Sequence, residues 1–530
     1  MSQSPNILFI LTDQQRADTI GALGNALIRT PVLDRLASEG TAFERAYTPS
    51  PVCVPARHAI VTGRSPHRTG VVDNTGDSPP ADCSIMEILA GRGYQGHGVG
   101  KMHFTPHRDW RKAWGFETRD LSEECCLEDD YSAFLSRHGF GHVIDPHGLR
   151  SEYYYLPQPS QVPAHLHSTA WVADRSIDFL RRRDRSRPFF LWTSFIKPHP
   201  PFESPNPWNR LYRSPAMPAP FVPGDSTELQ TFWNRFQNRY KYMDGGMQRH
   251  LQRTQRAAYY GAISFIDYHV GRLLEALGAE QDNTLVVFTS DHGELLGDYG
   301  CYGKRSMLDA AARVPLLVRQ PGRFAAGQRC TTPVSLLDLF PTFAATAGAE
   351  PTVPGETSAD LAGIAAGKGT RSHVLSQFSQ GPLGLYLAVE HDWKYIYSAA
   401  DRREWLFHVA TDPRDVIDLS QDPACAVHRD RLRRHLLQRF EQDGYSSAVD
   451  QGTWRGYEQT LLSIDPDAGL LFQDPPPLAQ ELAALPGYGL PTAPNPGTHP
   501  DPLATKHGRA IPYFALRKKN GESGHDPVLP

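Results

Sequence analysis

Few features of this chain point to a membrane, a nucleic acid or a disulfide scaffold. The apolar run from Ile7 to Leu11 is too short for a signal h-region or a membrane span. The opening Met1-Ser2-Gln3-Ser4-Pro5 has no basic region, so the expected location is cytoplasmic. Seven cysteines in 530 residues is a low and odd number, which argues against a disulfide framework. The adjacent Cys125 and Cys126 read as two ordinary thiols. A formal net charge of −4 offers nothing to nucleic acid or an anionic membrane surface, so neither is an expected partner. No internal repeat is visible. What remains is 40% hydrophobic and 21% charged, the balance of a soluble globular protein. Its length asks for one large domain and a smaller one.

The most unusual stretch is Cys53-Val54-Pro55-Ala56-Arg57, running on to Thr62-Gly63-Arg64. A lone cysteine is usually a buried, inert thiol. A cysteine followed by Pro, Arg and then Thr-Gly-Arg at fixed offsets is not a core pattern. It lies on a loop leading into a helix expected over about 57–63, which places Cys53 at a helix N-terminus, an anion-favouring position.

Several continuous apolar runs read as strands buried on both faces of a parallel sheet. They are Asn6 to Thr12, Phe189 to Phe195 and Thr284 to Thr289, joined by shorter strands at Gln95 to Val99 and Val314 to Val318. Helices are expected at 31–39, with Thr30 as N-cap and Pro31 at N1, and at 84–90, 168–183, 259–277 and 336–347. Alternating strands and helices predict an α/β fold, a mostly parallel sheet sandwiched by helices. Residues 104–165 and 204–250 lack a clear period and read as insertions that carry substrate choice. After a loop at 351–370, strands within 385–408 and a helix at 429–440 suggest a small C-terminal antiparallel sheet plus helix. The expected division is 1–370 for the catalytic domain, 371–450 for the α+β subdomain, and 451–530 for a Pro- and Gly-rich tail that wraps its own domain or joins a neighbouring subunit.

The buried strands end in polar groups: Asp13-Gln14, Lys197-Pro198-His199 and Asp291-His292-Gly293-Glu294. Open α/β sheets place their ligands at that edge. Asp13 is therefore either a ligand or a helix N-cap, and Asp291-His292 either part of the same site or a turn. If they converge, Asp13, Gln14, Asp291 and His292 share a metal. Carboxylates and an amide suit Ca²⁺ or Mg²⁺, and the imidazole admits Mn²⁺ or Zn²⁺.

From Asn6 to about residue 440 the sequence resembles the type I, formylglycine-dependent sulfatases of the alkaline phosphatase superfamily, on the arylsulfatase, choline-sulfatase and phosphonate monoester hydrolase branch. The resemblance implies that Cys53 is oxidised to formylglycine by a formylglycine-generating enzyme, and that one hydroxyl of the hydrated aldehyde attacks sulfur to give a covalent sulfo-enzyme. It implies one divalent metal, Ca²⁺ ahead of Mn²⁺, held by Asp13, Gln14, Asp291, His292 and an oxygen of modified Cys53. It makes Arg57 the partner of the aldehyde hydrate. Lys101, His103, His199 and Lys304 would surround the sulfate, with Asn74 contributing. His199 would serve as general acid, with Lys304 as the alternative, and His103 as base. The implied substrate is a small sulfate ester and the implied assembly a homo-oligomer, dimer or tetramer. Many sulfatases carry Asn where this chain has His292, and His there is similar to the phosphonate monoester hydrolases. The Lys101-Met102-His103 triplet favours sulfate esters over phosphonates.

Overall fold

The computed structural model describes residues 4–74, 84–104, 114–124, 128–350, 353–368, 371, 373–473, 484 and 486. Cys125, Cys126 and the tail from 474 onward, apart from 484 and 486, lie outside the described residues.

The main sheet uses β1 (Asn6–Asp13), β2 (Thr41–Phe43), β3 (Gln95–Gly100), β4 (Thr118–Leu121), β5 (Phe189–Pro198), β6 (Thr284–Ser290), β7 (Leu316–Arg319) and β8 (Gln328–Cys330). Their spatial order is β8-β2-β7-β6-β1-β5-β3-β4. The run β6-β1-β5-β3-β4 is parallel throughout. β7 lies antiparallel to both β6 and β2. The pleat of β1 splits the core. Ile7, Phe9 and Leu11 face a layer containing the helices α2 (Cys53–Thr62), α3 (Ile85–Gly91) and α7 (Leu339–Thr346), while Leu8 and Ile10 face α1 (Pro31–Glu39), α4 (Ser168–Arg182) and α6 (Arg249–Leu277).

The expected α/β sandwich is therefore present, with local corrections. α2 begins at Cys53, not near Arg57. Thr30 does not cap α1 with its side chain. The Val32 and Leu33 N–H groups are taken by the Asp267 carboxylate of α6, at 3.2 and 2.8 Å, and the Thr30 hydroxyl accepts from Gly21 instead. Within 104–165, β4 adds an edge strand whose half-exposed Thr118-Arg119-Asp120 hid its strand character. Within 204–250, α5 (Phe232–Tyr240) starts from a capping box of Thr231 and Asn234. α6 starts ten residues earlier than expected.

The small sheet, β9 (Val374–Phe378), β10 (Leu385–Glu390), β11 (Trp393–Ser398) and β12 (Arg403–His408), is antiparallel and sequential. Leu385, Leu387, Ile396, Trp405 and Phe407 pack with Phe232, Trp233 and Phe236 of α5. The opposite face, with Tyr386, Tyr395 and Leu406, receives Leu432, Leu436 and Phe440 of α8 (Ala426–Gln442). No helix among the described residues is long and apolar enough to cross a membrane.

Candidate active site

Because β6, β1, β5 and β3 run the same way, their carboxyl ends meet at one edge. β1 delivers Asp13 and Gln14, β6 Asp291 and His292, β5 His199, and β3 Lys101. The β3–β5 approach requires glycine at position 100. A Cβ there would lie 2.0 Å from the Ser194 carbonyl oxygen, and its φ is +87°.

Cys53 is the first residue of α2, where unpaired N–H groups and the helix dipole favour negative charge. The N-cap, Val52, has no side-chain acceptor, so Asn74 fills that role, its Oδ1 accepting the Val54 N–H at 3.1 Å. The fully buried Cys53 Sγ lies 2.7 Å from Lys304 Nζ, 3.3 Å from His292 Nε2 and 3.8 Å from Asp13 Oδ1. Burial alone would raise the thiol's pKa. The Lys101 and Lys304 ammoniums, helped by a hydrogen bond from His103, outweigh it and hold the pKa well below the ordinary thiol value.

Arg57, one turn further along α2, ties the edge together. Its Nε donates to Asp291 Oδ2 at 2.7 Å, Nη1 to the Lys101 carbonyl at 2.7 Å and to Ser194 Oγ at 2.9 Å, and Nη2 reaches Asp13 Oδ2 at 3.4 Å. Burial works against the guanidinium's charge, but Asp291 and Asp13 more than restore it. Lys101 bridges Asp13, at 2.5 Å, and Glu124. These carboxylates raise its pKa despite burial.

The donor set suits a divalent cation. Asp13, Cys53, Asp291 and His292 each offer an atom, all within 4.8 Å of one another. His292 Nδ1 faces the Gly293 carbonyl at 3.0 Å, which places the proton there and leaves Nε2 as a lone pair beside Asp13 and Asp291. Gln14 supplies an independent sign. Its Nε2 donates to Glu294 and approaches Tyr155 Oη at 3.4 Å, while its buried Oε1 has no partner. Glu294 fixes that amide, since it also accepts from Tyr155 Oη, Leu296 N and Gly303 N at 2.7, 2.8 and 2.6 Å.

His199 stands on the other side of Lys101. Its Nδ1 faces the Pro200 carbonyl at 2.5 Å and its Nε2 faces Glu124 Oε1 at 3.4 Å. Burial drops its pKa to about 4, against the pull of Glu124. Glu124 is held well below the carboxylate range: burial would raise it, but His199, Lys101 and Arg150 prevail.

The structure thus gathers Asp13, Gln14, Cys53, Arg57, Lys101, His103, His199, Asp291, His292 and Lys304 around one point, and Asn74 at the adjoining helix start. Sequence reasoning missed Glu123, Glu124, Ser194 and Tyr155. Glu123 accepts the Met102 and His103 N–H groups at 2.7 and 3.1 Å and so shapes the turn after β3. The signal for both glutamates was their place just beyond β4, at the same carboxyl edge.

A parallel sheet whose carboxyl edge holds lysines, imidazoles and a carboxylate pair around one nucleophilic side chain defines a hydrolase of oxyanion esters. The sulfatase family description matches residues 5–349, and the chain belongs to that family. A second description, "N-sulphoglucosamine sulphohydrolase, C-terminal", matches residues 297–442. An arylsulfatase of Clostridium perfringens is 32% identical over 471 residues, covering 83% of this chain and 96% of the relative. A choline-sulfatase of Rhizobium meliloti is 30% identical over 487 residues, covering 86% and 91%. The crystal structure of the phosphonate monoester hydrolase of Agrobacterium radiobacter superposes with a TM-score of 0.71 at 25% identity, covering 86% of this chain and 100% of that one. The protein is a sulfuric ester hydrolase.

Proposed function

We propose that this hydrolase cleaves aryl or alkyl sulfate monoesters with Cys53, oxidised to formylglycine by a maturation enzyme, as the nucleophile, and one divalent cation, Ca²⁺ ahead of Mn²⁺. The observation that carries this is the setting of Cys53 Sγ, 2.7 Å from Lys304 and 3.3 Å from His292 at the start of α2. Sγ stands in for the hydroxyl oxygen of the hydrated aldehyde. When present, the cation withdraws charge from a sulfuryl oxygen and the hydrated aldehyde offers an acidified hydroxyl. Asp13, Asp291, His292 and the unpartnered Gln14 Oε1 would hold that cation.

The chain's own groups do the remaining work. Arg57 bridges Asp13 and Asp291 and offsets the repulsion between the two carboxylates. Lys101 and Lys304 present two preorganised ammoniums to the sulfuryl oxygens, where charge builds as the ester bond breaks. Lys304 lies against the nucleophile, so His199 serves the leaving oxygen: the negative charge of a bound sulfate ester, added to that of Glu124, restores the proton that burial removes, and His199 supplies it. His103 takes a proton on the nucleophile's side. Overall one water is consumed, the ester S–O bond breaks, and an alcohol or phenol leaves with sulfate.

The likeness to the phosphonate monoester hydrolase and the presence of His292 support a second reading, phosphonate monoester or phosphodiester hydrolysis. The discriminating test is kcat/KM for 4-nitrophenyl sulfate against 4-nitrophenyl phenylphosphonate, with Cys53→Ala as control. A higher value for the sulfate, abolished by Cys53→Ala, is expected. A higher value for the phosphonate overturns the first reading.

A further inference from the structure

The chain does not stop at the small sheet. Residues 455–473 leave it and run back across the catalytic body. Thr460 N donates to the Ala400 carbonyl at 2.9 Å, and Arg239 donates to the Ser463 and Asp465 carbonyls at 2.5 and 3.2 Å. Leu471, fully buried, donates to the Tyr240 carbonyl at 3.0 Å and accepts from Tyr242 Oη at 2.6 Å. The segment then reaches the active-site wall. Gln473 N donates to Ser151 Oγ at 2.9 Å, and Gln473 Oε1 accepts from Arg150 Nη1 at 3.2 Å.

From there the contacts lead inward. Arg150 Nη2 donates to Glu124 Oε2 at 3.4 Å. The other oxygen, Oε1, faces His199 Nε2 at 3.4 Å and accepts from Lys101. A parallel route is aromatic: the Arg150 guanidinium lies 5.4 Å from the Tyr154 ring centre, and the Tyr154 and His199 rings pack edge to face with their centres 6.1 Å apart. The Arg150 side chain is 5% exposed and that of Glu124 10%, so these are buried, charge-assisted contacts rather than solvated ones.

We propose that residues 455–473 form a strap that positions the leaving-group side of the active site in cis. Gln473 orients Arg150, Arg150 orients Glu124, and Glu124 holds His199 and Lys101 where the ester oxygen departs. Gln473, Arg150 and Glu124 are positioning residues, and this role rests on the hydrolase reading above. A poor leaving group needs the proton from His199, and a good one does not. The strap therefore matters for alkyl sulfates and little for nitrophenyl sulfate.

The test uses full-length, metal-replete protein and compares Gln473→Ala and Gln473→Glu with wild type on an alkyl sulfate and on 4-nitrophenyl sulfate, with the corresponding phosphonate esters alongside. Losing one hydrogen bond to a charged group predicts a fall of about ten-fold in kcat on the alkyl ester, and a change under about two-fold on the nitrophenyl ester. Gln473→Glu keeps the acceptor and restores both. Equal losses on the two esters, or none on either, overturn the strap. Should Gln473→Ala lower the melting temperature, Arg150→Lys, which keeps the charge but not the fork, must reproduce the same contrast. A wild type inactive on every ester refutes the hydrolase reading instead. The strap is then judged by calorimetric binding of inorganic sulfate, which Gln473→Ala must weaken and Gln473→Glu must not.

Discussion

Arg57→Met tests how the carboxyl edge is held together. The substitution keeps an unbranched side chain and removes a fully buried guanidinium that serves four acceptors. Two carboxylates, Asp13 and Asp291, then face each other without their shared cation. Breaking a buried ion pair by removing one partner costs about 3–5 kcal/mol. Unfolding entropy of roughly 2.1 cal/mol/K per residue gives about 1.1 kcal/mol/K for 530 residues, so the melting temperature falls by about 3–5 °C. Scanning calorimetry with EDTA and with excess Ca²⁺ adds a sign. A divalent cation between the carboxylates stabilises the variant by mass action, so the loss is larger in EDTA. Sulfate ester turnover falls with it, since Arg57 also fixes the Lys101 backbone and Ser194. A variant melting within about 1 °C of wild type in EDTA refutes the reasoning.

Two further outcomes follow from buried groups. Glu294→Gln sets an amide NH₂ against donors, because all four contacts of Glu294 are accepted ones. Gln14 loses its anchor, and Ca²⁺ affinity, read by chelator competition, drops about 10–100-fold; an unchanged affinity contradicts the Gln14 assignment. His269 is depressed to about 3, by burial first and then by Arg272. A histidine depressed in the folded state contributes its stability above the unfolded pKa near 6.5, and loses it as pH falls from 6.5 toward 3. At pH 5 this is about 2 kcal/mol. His269→Gln should shrink the gap between the pH 8 and pH 5 melting temperatures by about 2 °C, and an unchanged gap contradicts the buried neutral imidazole.

What could be read from the chain beforehand follows the physics of each element. Strands buried on both faces are continuous apolar runs, so the ends carrying Asp13, His199 and Asp291 were visible without a structure. β4 is a half-exposed edge strand with a polar pattern, and Glu123 and Glu124 were hidden with it. α5 sits in a Pro-rich stretch, where the Thr231–Asn234 capping box and the four-residue spacing of Phe232, Phe236 and Tyr240 were its signals. Asn74 is expected from the resemblance to contribute to the sulfate pocket; its oxygen also caps α2, a pairing between positions twenty residues apart that no periodicity encodes. The clamp of Arg57 on both aspartates belongs to the same class, as does the return of the chain from the small sheet to Arg150. Contacts of long sequence separation are set by tertiary packing, which local pattern does not report.

The measurement closest to the central claim is the mass of the tryptic peptide Ala46–Arg57 from catalytically active protein. A Cys53 oxidised to formylglycine gives a peptide that has lost the elements of H₂S and gained one oxygen, and that couples to a hydrazide probe. A uniformly unmodified thiol in fully active protein contradicts the proposed nucleophile.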